Sequence, residues 1–119
     1  MHHTPMPGKD LVAASARPLV LSILESGESY GYAILQEVKR RSGGHLAWTD
    51  GMLYPVLHKL EKQGHIKSRW DTAPDTGRRR KYYRLEKTGH TELAAQRADW
   101  LAVHNTLADL WGLKPCPTN

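Results

Sequence analysis

The run Thr76-Gly77-Arg78-Arg79-Arg80-Lys81-Tyr82-Tyr83-Arg84-Leu85 limits what this chain can fold into more than any other stretch. Its glycine supplies a turn, and four cations follow without a break. Lys81, Tyr83 and Leu85 alternate against Arg80, Tyr82 and Arg84, which predicts a strand over 79–85. A partner strand stands upstream in 65–70, where Ile66, Ser68 and Trp70 alternate with His65, Lys67 and Arg69. Pro74, Asp75 and Gly77 make Asp71–Gly77 the connecting loop. The two runs therefore predict a β-hairpin with a basic tip. Such a tip suits a phosphate backbone, because each cation there can displace condensed counterions.

The remaining segments read as helices. Asp10–Glu25 carries Leu11, Ala14, Leu19, Leu21, Ile23 and Leu24, with Pro18 expected to start or bend the helix. Ser26-Gly27-Glu28-Ser29 is a turn in which Ser29 is placed to cap a helix running from Tyr30 to Arg41. Gly31, Ile34, Leu35 and Val38 share one face of that helix, and Ser42-Gly43-Gly44 ends it. A third helix starts at Thr49 or Asp50 and stops at Gly64, burying Leu53, Val56, Leu57 and Leu60. Met52, Tyr54, Pro55, His58, Lys59 and Lys62 are left outward or sideways. Thr88 is expected to cap a last helix reaching Trp111. Helix followed by basic hairpin is the order of a winged helix, so the fold class is mostly α with a small β-hairpin plus a C-terminal helix. The expected organisation is a disordered N-terminus over 1–8, a winged helix over 9–87, a terminal helix over 88–112 and a flexible tail over 113–119.

The net charge of +5 is more informative once located. Residues 37–87 hold 13 Lys and Arg against 6 Asp and Glu, while the remainder holds 4 against 6. A localised basic patch is the footprint of a polyanion-binding face, although a solvated Lys-rich surface gives the same charge. The longest apolar run, Leu19–Leu21 resuming at Ile23–Leu24, is far short of the roughly 18 residues a membrane span needs. Met1–Gly8 has neither a cationic start nor an apolar centre, so no signal peptide is expected. The single Cys116 excludes an intramolecular disulfide, which fits a reducing cytoplasm. None of His2, His3, His45, His58, His65, His90 and His104 stands at a ligand spacing with a Cys or acidic partner, so no metal or other cofactor is expected. No nucleophile–base arrangement, carboxylate pair or phosphate-cradling glycine loop argues for an enzyme.

Leu93, Trp100 and Leu107 recur every seven residues in the last helix, and Leu110 and Trp111 extend the stripe. A terminal helix with that repeat needs a covering surface. Either it folds back on its own domain or it pairs with a second copy. Pairing would duplicate the basic face to match a two-fold duplex site. The expected dimer interface is Leu11, Leu93, Trp100, Leu107, Leu110 and Trp111.

In their order and spacing, several pieces of this sequence resemble the PadR family of bacterial transcriptional regulators. They are Tyr30-Gly31-Tyr32, Gly51-Met52-Leu53-Tyr54-Pro55, Leu60-Glu61-Lys62-Gln63-Gly64-His65-Ile66, Trp70, Gly77-Arg78-Arg79-Arg80-Lys81-Tyr82-Tyr83, Leu85 and Gly89. The resemblance covers roughly Leu19–Trp111. It implies a winged helix-turn-helix with a C-terminal dimerisation helix, usually a repressor, of the smaller type with one terminal helix. The chain departs from the family pattern at Met52, where Thr is common, at Glu28, where Pro is common, and at His65, where an apolar residue is usual. Met52 lies at the start of the recognition helix and bears on sequence preference.

Together these readings place the N-terminal part of the third helix in the major groove of double-stranded DNA. Thr49, Met52 and His58 would approach base edges, and Tyr54, Lys59 and Lys62 the phosphates. Met52 and Tyr54 also suit a core. Tyr30 and Tyr32 resemble the family's aromatic pair, one buried and one near the backbone. From the group Arg78, Arg79, Arg80 and Lys81, Arg78 and Arg80 are expected at phosphate or minor groove. Trp100 could sandwich a small aromatic effector across a dimer seam, or be ordinary interface core. The functional expectation is a nucleoid-associated cytoplasmic homodimeric repressor. The alternatives are a nonspecific nucleic-acid binder and a winged-helix protein-interaction module.

Overall fold

Seven elements follow one another in the computed structural model, which describes residues 6–113. They are α1 (Lys9–Glu25), β1 (Ser29–Tyr30), α2 (Gly31–Arg41), α3 (Asp50–Lys62), β2 (Ile66–Thr72), β3 (Arg79–Leu85) and α4 (Lys87–Leu110). Residues 1–5 of the expected disordered N-terminus, and 114–119 of the expected tail with Cys116, lie outside the described residues.

The helical stripes fold as their spacing dictates. Leu53, Leu57 and Leu60 of α3 are fully buried and meet Ile34 and Val38 of α2 and Val20, Leu21 and Leu24 of α1. Helix α1 runs without interruption through Pro18, with Val12 and Ala16 carrying its buried face toward the N-terminus. Backbone turns close α2 and α3 in the same way. Gly43 and Gly64 adopt φ of 63° and 81°, and the residue after each donates back to the last helical turn, Gly44 to Lys39 at 2.8 Å and His65 to Leu60 at 3.0 Å. Trp48, 7% exposed, fastens the α2–α3 connection to the core.

The sheet is three-stranded and antiparallel in the order β1-β3-β2, so the second hairpin strand is central. Ser29–Tyr30 pairs with Tyr83 and Tyr82. That strand replaces the expected capping role of Ser29. Tyr30 holds the N-cap position with extended backbone, and no side-chain cap forms. Strand β2 also continues past Trp70, with Asp71 and Thr72 paired to Arg80 and Arg79, so the wing loop is shorter than Asp71–Gly77. Ala73 and Arg78 close it by a 2.8 Å backbone bond.

Helix α4 starts earlier than Thr88. Glu86 is its N-cap, and its amide donates to the His65 carbonyl at 2.9 Å. Thr88 instead donates its hydroxyl to the Gly64 carbonyl at 2.7 Å. Gly89 lies against the His65 carbonyl so closely that an added Cβ would overlap it. Leu93 is 1% exposed and belongs to the chain's own core. Ion pairs Arg17–Glu92 and Arg97–Glu25 tie α1 to α4. Beyond them the C-terminal half of α4 carries exposed Leu101, Val103, Leu107 and Leu110, followed by exposed Trp111.

Candidate nucleic-acid interface

Helices α2 and α3, with the β2–β3 wing, present the basic middle of the chain on one connected set of elements. At the start of α3, Asp50 complements the positive helix end, and Lys59 and Lys62 occupy the last turn. Thr49 makes no side-chain cap bond and is exposed, as are His58, Lys59 and Lys62. Met52 is half-buried and packs against the core, so only part of its side chain is open to a groove.

Tyr54 is 36% exposed, and its hydroxyl rests against Gly31 at the first turn of α2, where an added Cβ would overlap it. Glycine is needed there for close approach of the two helices, not for a special backbone angle. The Tyr54 ring also lies 6.4 Å from that of His58. Tyr30 and Tyr32 separate in role. Tyr32 is 65% exposed. Tyr30 packs edge-on against Tyr82 with centroids 5.7 Å apart and carries the Arg80 guanidinium 3.9 Å above its ring.

The wing cations are unequal. Arg80 is paired with Asp75 at 3.1 Å as well as stacked on Tyr30. Lys81 is 4.0 Å from Glu61, whose other oxygen accepts from Ser68. Arg69 donates to both oxygens of Glu28 and to Asp71, and lies over Tyr82. The Arg69 hydrogen bonds hold the Glu28 and Asp71 carboxyls below their usual range. Arg84 is 3.6 Å from Glu86. By contrast, Arg78 and Arg79 are exposed and form no ion pair among the described residues, although Arg79 lies 5.4 Å over the indole of Trp70. Tyr83, 1% exposed, is buried without a partner for its hydroxyl, and burial raises its pKa to about 12.

Five basic or aromatic residues on these elements were not assigned to the DNA face from sequence. Lys39, Arg40 and Arg41 end α2. Glu37 bonds both Arg40 and Arg41, and those bonds lower its pKa to about 2, whereas Lys39 keeps an unpaired charge among the described residues. The uninterrupted 39–41 run was a visible signal. Beside it lies an open cleft of about 640 Å³ lined by Tyr30, Tyr32, Gln36, Lys39, Arg40 and Gly44. Lys67 and Trp70 on β2 are the others. Trp70 is 56% exposed, an exposure that strand alternation alone does not reveal.

The model of the Transcriptional regulator PadR-like family matches residues 20–95, spanning α2, α3 and the wing and reaching into α4. The chain belongs to the PadR family. As a PadR-family protein it is a DNA-binding transcription regulator, and the family consists of regulators, not enzymes. It is similar to the negative transcriptional regulator PadR of Bacillus subtilis, 32% identical over 90 residues that make up 76% of this chain and 47% of that protein. The chain thus spans about half the length of that relative. Among solved structures it resembles a transcriptional regulator from Clostridium thermocellum, with TM-score 0.76, 25% identity, and coverage of 86% of this chain and 95% of that one. It also resembles a PadR family transcription regulator from Clostridium difficile, with TM-score 0.70, 29% identity, and coverage of 82% and 97%.

A second cavity, of about 470 Å³, separates α1 from α4 and is lined by Leu11, Leu19, Leu46, Arg97, Trp100 and His104, among others. Among the described residues, no group of three or more His, Cys, Asp or Glu could hold a metal ion. No described helix is long and apolar enough to cross a membrane.

Proposed function

We propose that this PadR-family regulator is a homodimeric repressor that binds a two-fold operator. The observation that carries the reading is the row of exposed apolar residues at the end of α4. Val103, Leu107, Leu110 and Trp111 are 55%, 37%, 72% and 66% exposed and fall along one side of the helix, and Leu11 of α1 is 55% exposed. A monomer leaving that much apolar surface in water invites a partner, and a second copy supplies the same surface by symmetry. Trp100 and Leu11 also line the α1–α4 cavity, so a partner helix would close it from outside. A small planar aromatic effector fits the closed cavity, with the Trp100 indole as its stacking surface.

On the DNA face, Thr49, Met52 and His58 approach base edges. Tyr32, Tyr54, Lys39, Lys59, Lys62 and Arg78 serve the backbone. Half-sites would lie about one helical turn (roughly 10 bp) apart. The similarity to a negative regulator from Bacillus subtilis supports repression. Fluorescence anisotropy on duplexes from upstream of the protein's own gene, in excess nonspecific competitor, tests the reading together with light scattering. The expected outcome is competitor-resistant binding by a dimer, weakened by Lys59→Ala and by Leu110→Asp. Binding that competitor abolishes would favour a nonspecific nucleic-acid binder. No binding at low salt would favour a protein-interaction module.

A further inference from the structure

Helices α3 and α4 share no extended contact among the described residues. Helix α3 packs chiefly on α1, α2 and β2, and α4 chiefly on α1. The two meet only at a backbone junction, where Thr88 donates to the Gly64 carbonyl and Gly89 lies against the His65 carbonyl. A junction at one point fixes where two helices meet but not the angle between them. A second tie away from the junction is needed for that, and Arg17 supplies it from α1. Its guanidinium donates to the Gln63 side chain at 2.6 Å and stands 3.6 Å from the Glu92 carboxylate. Gln63 is the C-cap of α3, and Glu92 lies in the second turn of α4. Glu92 is held in turn by Gln96 at 2.8 Å. The Gln96 bond, and after it the Arg17 charge, keep the Glu92 carboxyl below its usual range. Only 25% of the Arg17 side chain is exposed.

We propose that Arg17 is a positioning residue for DNA binding: one guanidinium holds the C-cap of α3 and the second turn of α4, and so sets the half-site spacing that the dimer accepts. The inference rests on the dimeric operator reading above, which gives Arg17 no part. In a dimer joined through α4, each recognition helix is placed by the angle it makes with its own α4. A planar fork of N–H donors can hold two acceptors at a set separation, which a compact ammonium cannot do. One base-pair step moves a half-site by 3.4 Å along the duplex and turns it by about 34°. A braced pair of helices rejects that displacement, and an unbraced pair follows it. A phosphate contact by Arg17 would act differently, weakening all spacings alike and flattening the salt dependence.

The test uses a half-site selected by the full-length protein from a randomised duplex pool. Two copies are placed at separations stepped by single base pairs over one helical turn, and anisotropy is measured on each duplex. The wild type should bind the best separation about tenfold more tightly than those one base pair to either side. Arg17→Ala and Gln63→Ala should reduce that preference to about threefold or less, with single half-site affinity and salt slope as in the wild type. Gln63→Glu, which keeps an acceptor, should retain the full preference. Arg17→Lys, which keeps the charge but cannot span both partners, should lose it. Gln63 is exposed, so Gln63→Ala decides the matter if Arg17→Ala fails to fold. A full preference in Arg17→Ala, Arg17→Lys or Gln63→Ala, its loss in Gln63→Glu, or a flattened salt slope in Arg17→Ala overturns the inference alone. A wild type with no preferred separation overturns the two-fold operator reading and the inference with it.

Discussion

Arg78 and Arg80 stand two residues apart on the wing, yet their neutralisation to alanine should have different consequences for DNA binding. Arg78 is exposed and has no ionic partner among the described residues, so its charge is available to a phosphate. Arg80 is held by Asp75 at 3.1 Å and by the Tyr30 ring at 3.9 Å, and only 21% of its side chain is exposed. Each phosphate contact contributes about 0.9 to the slope of log affinity against log salt, so removing Arg78 from both copies of a dimer should flatten the slope by about 1.8. Raising salt from about 50 to about 200 mM should then cost the wild type about 12-fold more affinity than it costs Arg78→Ala. Arg80→Ala should leave the slope nearly unchanged and lower the melting temperature, because it frees Tyr30 and strands Asp75. Asp75→Asn should release Arg80 and steepen the slope. Anisotropy titrations at four or five salt concentrations on one operator duplex measure all of these. Equal flattening by Arg78→Ala and Arg80→Ala would refute the division between free and committed wing cations.

Other outcomes follow from single contacts. Gly31→Ala should press on the Tyr54 hydroxyl, reduce stability by about 1–3 kcal/mol and weaken operator binding; adding Tyr54→Phe should recover part of the lost stability in paired melting experiments. Tyr83→Phe removes a buried hydroxyl that has no partner, so it should be neutral or stabilise the fold by about 1 kcal/mol in chemical denaturation. It should also postpone the alkaline loss of stability, since a pKa raised from 10.0 to about 12 favours the fold below pH 10 and costs stability above it. On the acid side, Glu28 and Glu37 are held below 4.5, Glu37 at about 2. Their stabilisation is present above pH 4.5 and is lost as pH falls through the folded values, so thermal melts should be level near neutrality and fall below pH 4.5. A Glu28→Gln, Glu37→Gln double variant that declines as steeply as wild type would contradict that attribution.

Periodicity made the helices legible, because Leu53, Leu57 and Leu60, or Ile34 and Val38, can be buried together only on a helix. The hairpin was legible from the alternation around Tyr83 and the glycine turn. Strand β1 was not, since Ser29–Tyr30 is too short to carry a pattern and pairs because β3 offers a free edge. The start of α4 was misread for a related reason. Thr88 is a good cap by type, but the backbone bond from Glu86 to His65 draws the chain into the helix earlier. A seven-residue repeat told that Leu93 must be covered, without telling by which helix. At the interface, a row of cations marked the wing. Which of them stay free depends on Glu28, Glu61, Asp75 and Glu86, whose proximity arises only in three dimensions. Tyr54 likewise needed the fold to disclose that its hydroxyl meets Gly31.

The anchoring of α4 at one end has a mechanical side. Gly89 against His65, and Thr88 on Gly64, clamp its first turn to the junction between α3 and the wing. Its 24 residues then extend about 36 Å from that clamp. A tilt of about 10° about the clamp sweeps the far end through about 6 Å, close to two base-pair steps at 3.4 Å each. In the proposed dimer, any event that reseats the helix on α1 would work a long lever with its fulcrum beside the DNA face, so a tilt of about 10° would put the two wings out of step with a duplex.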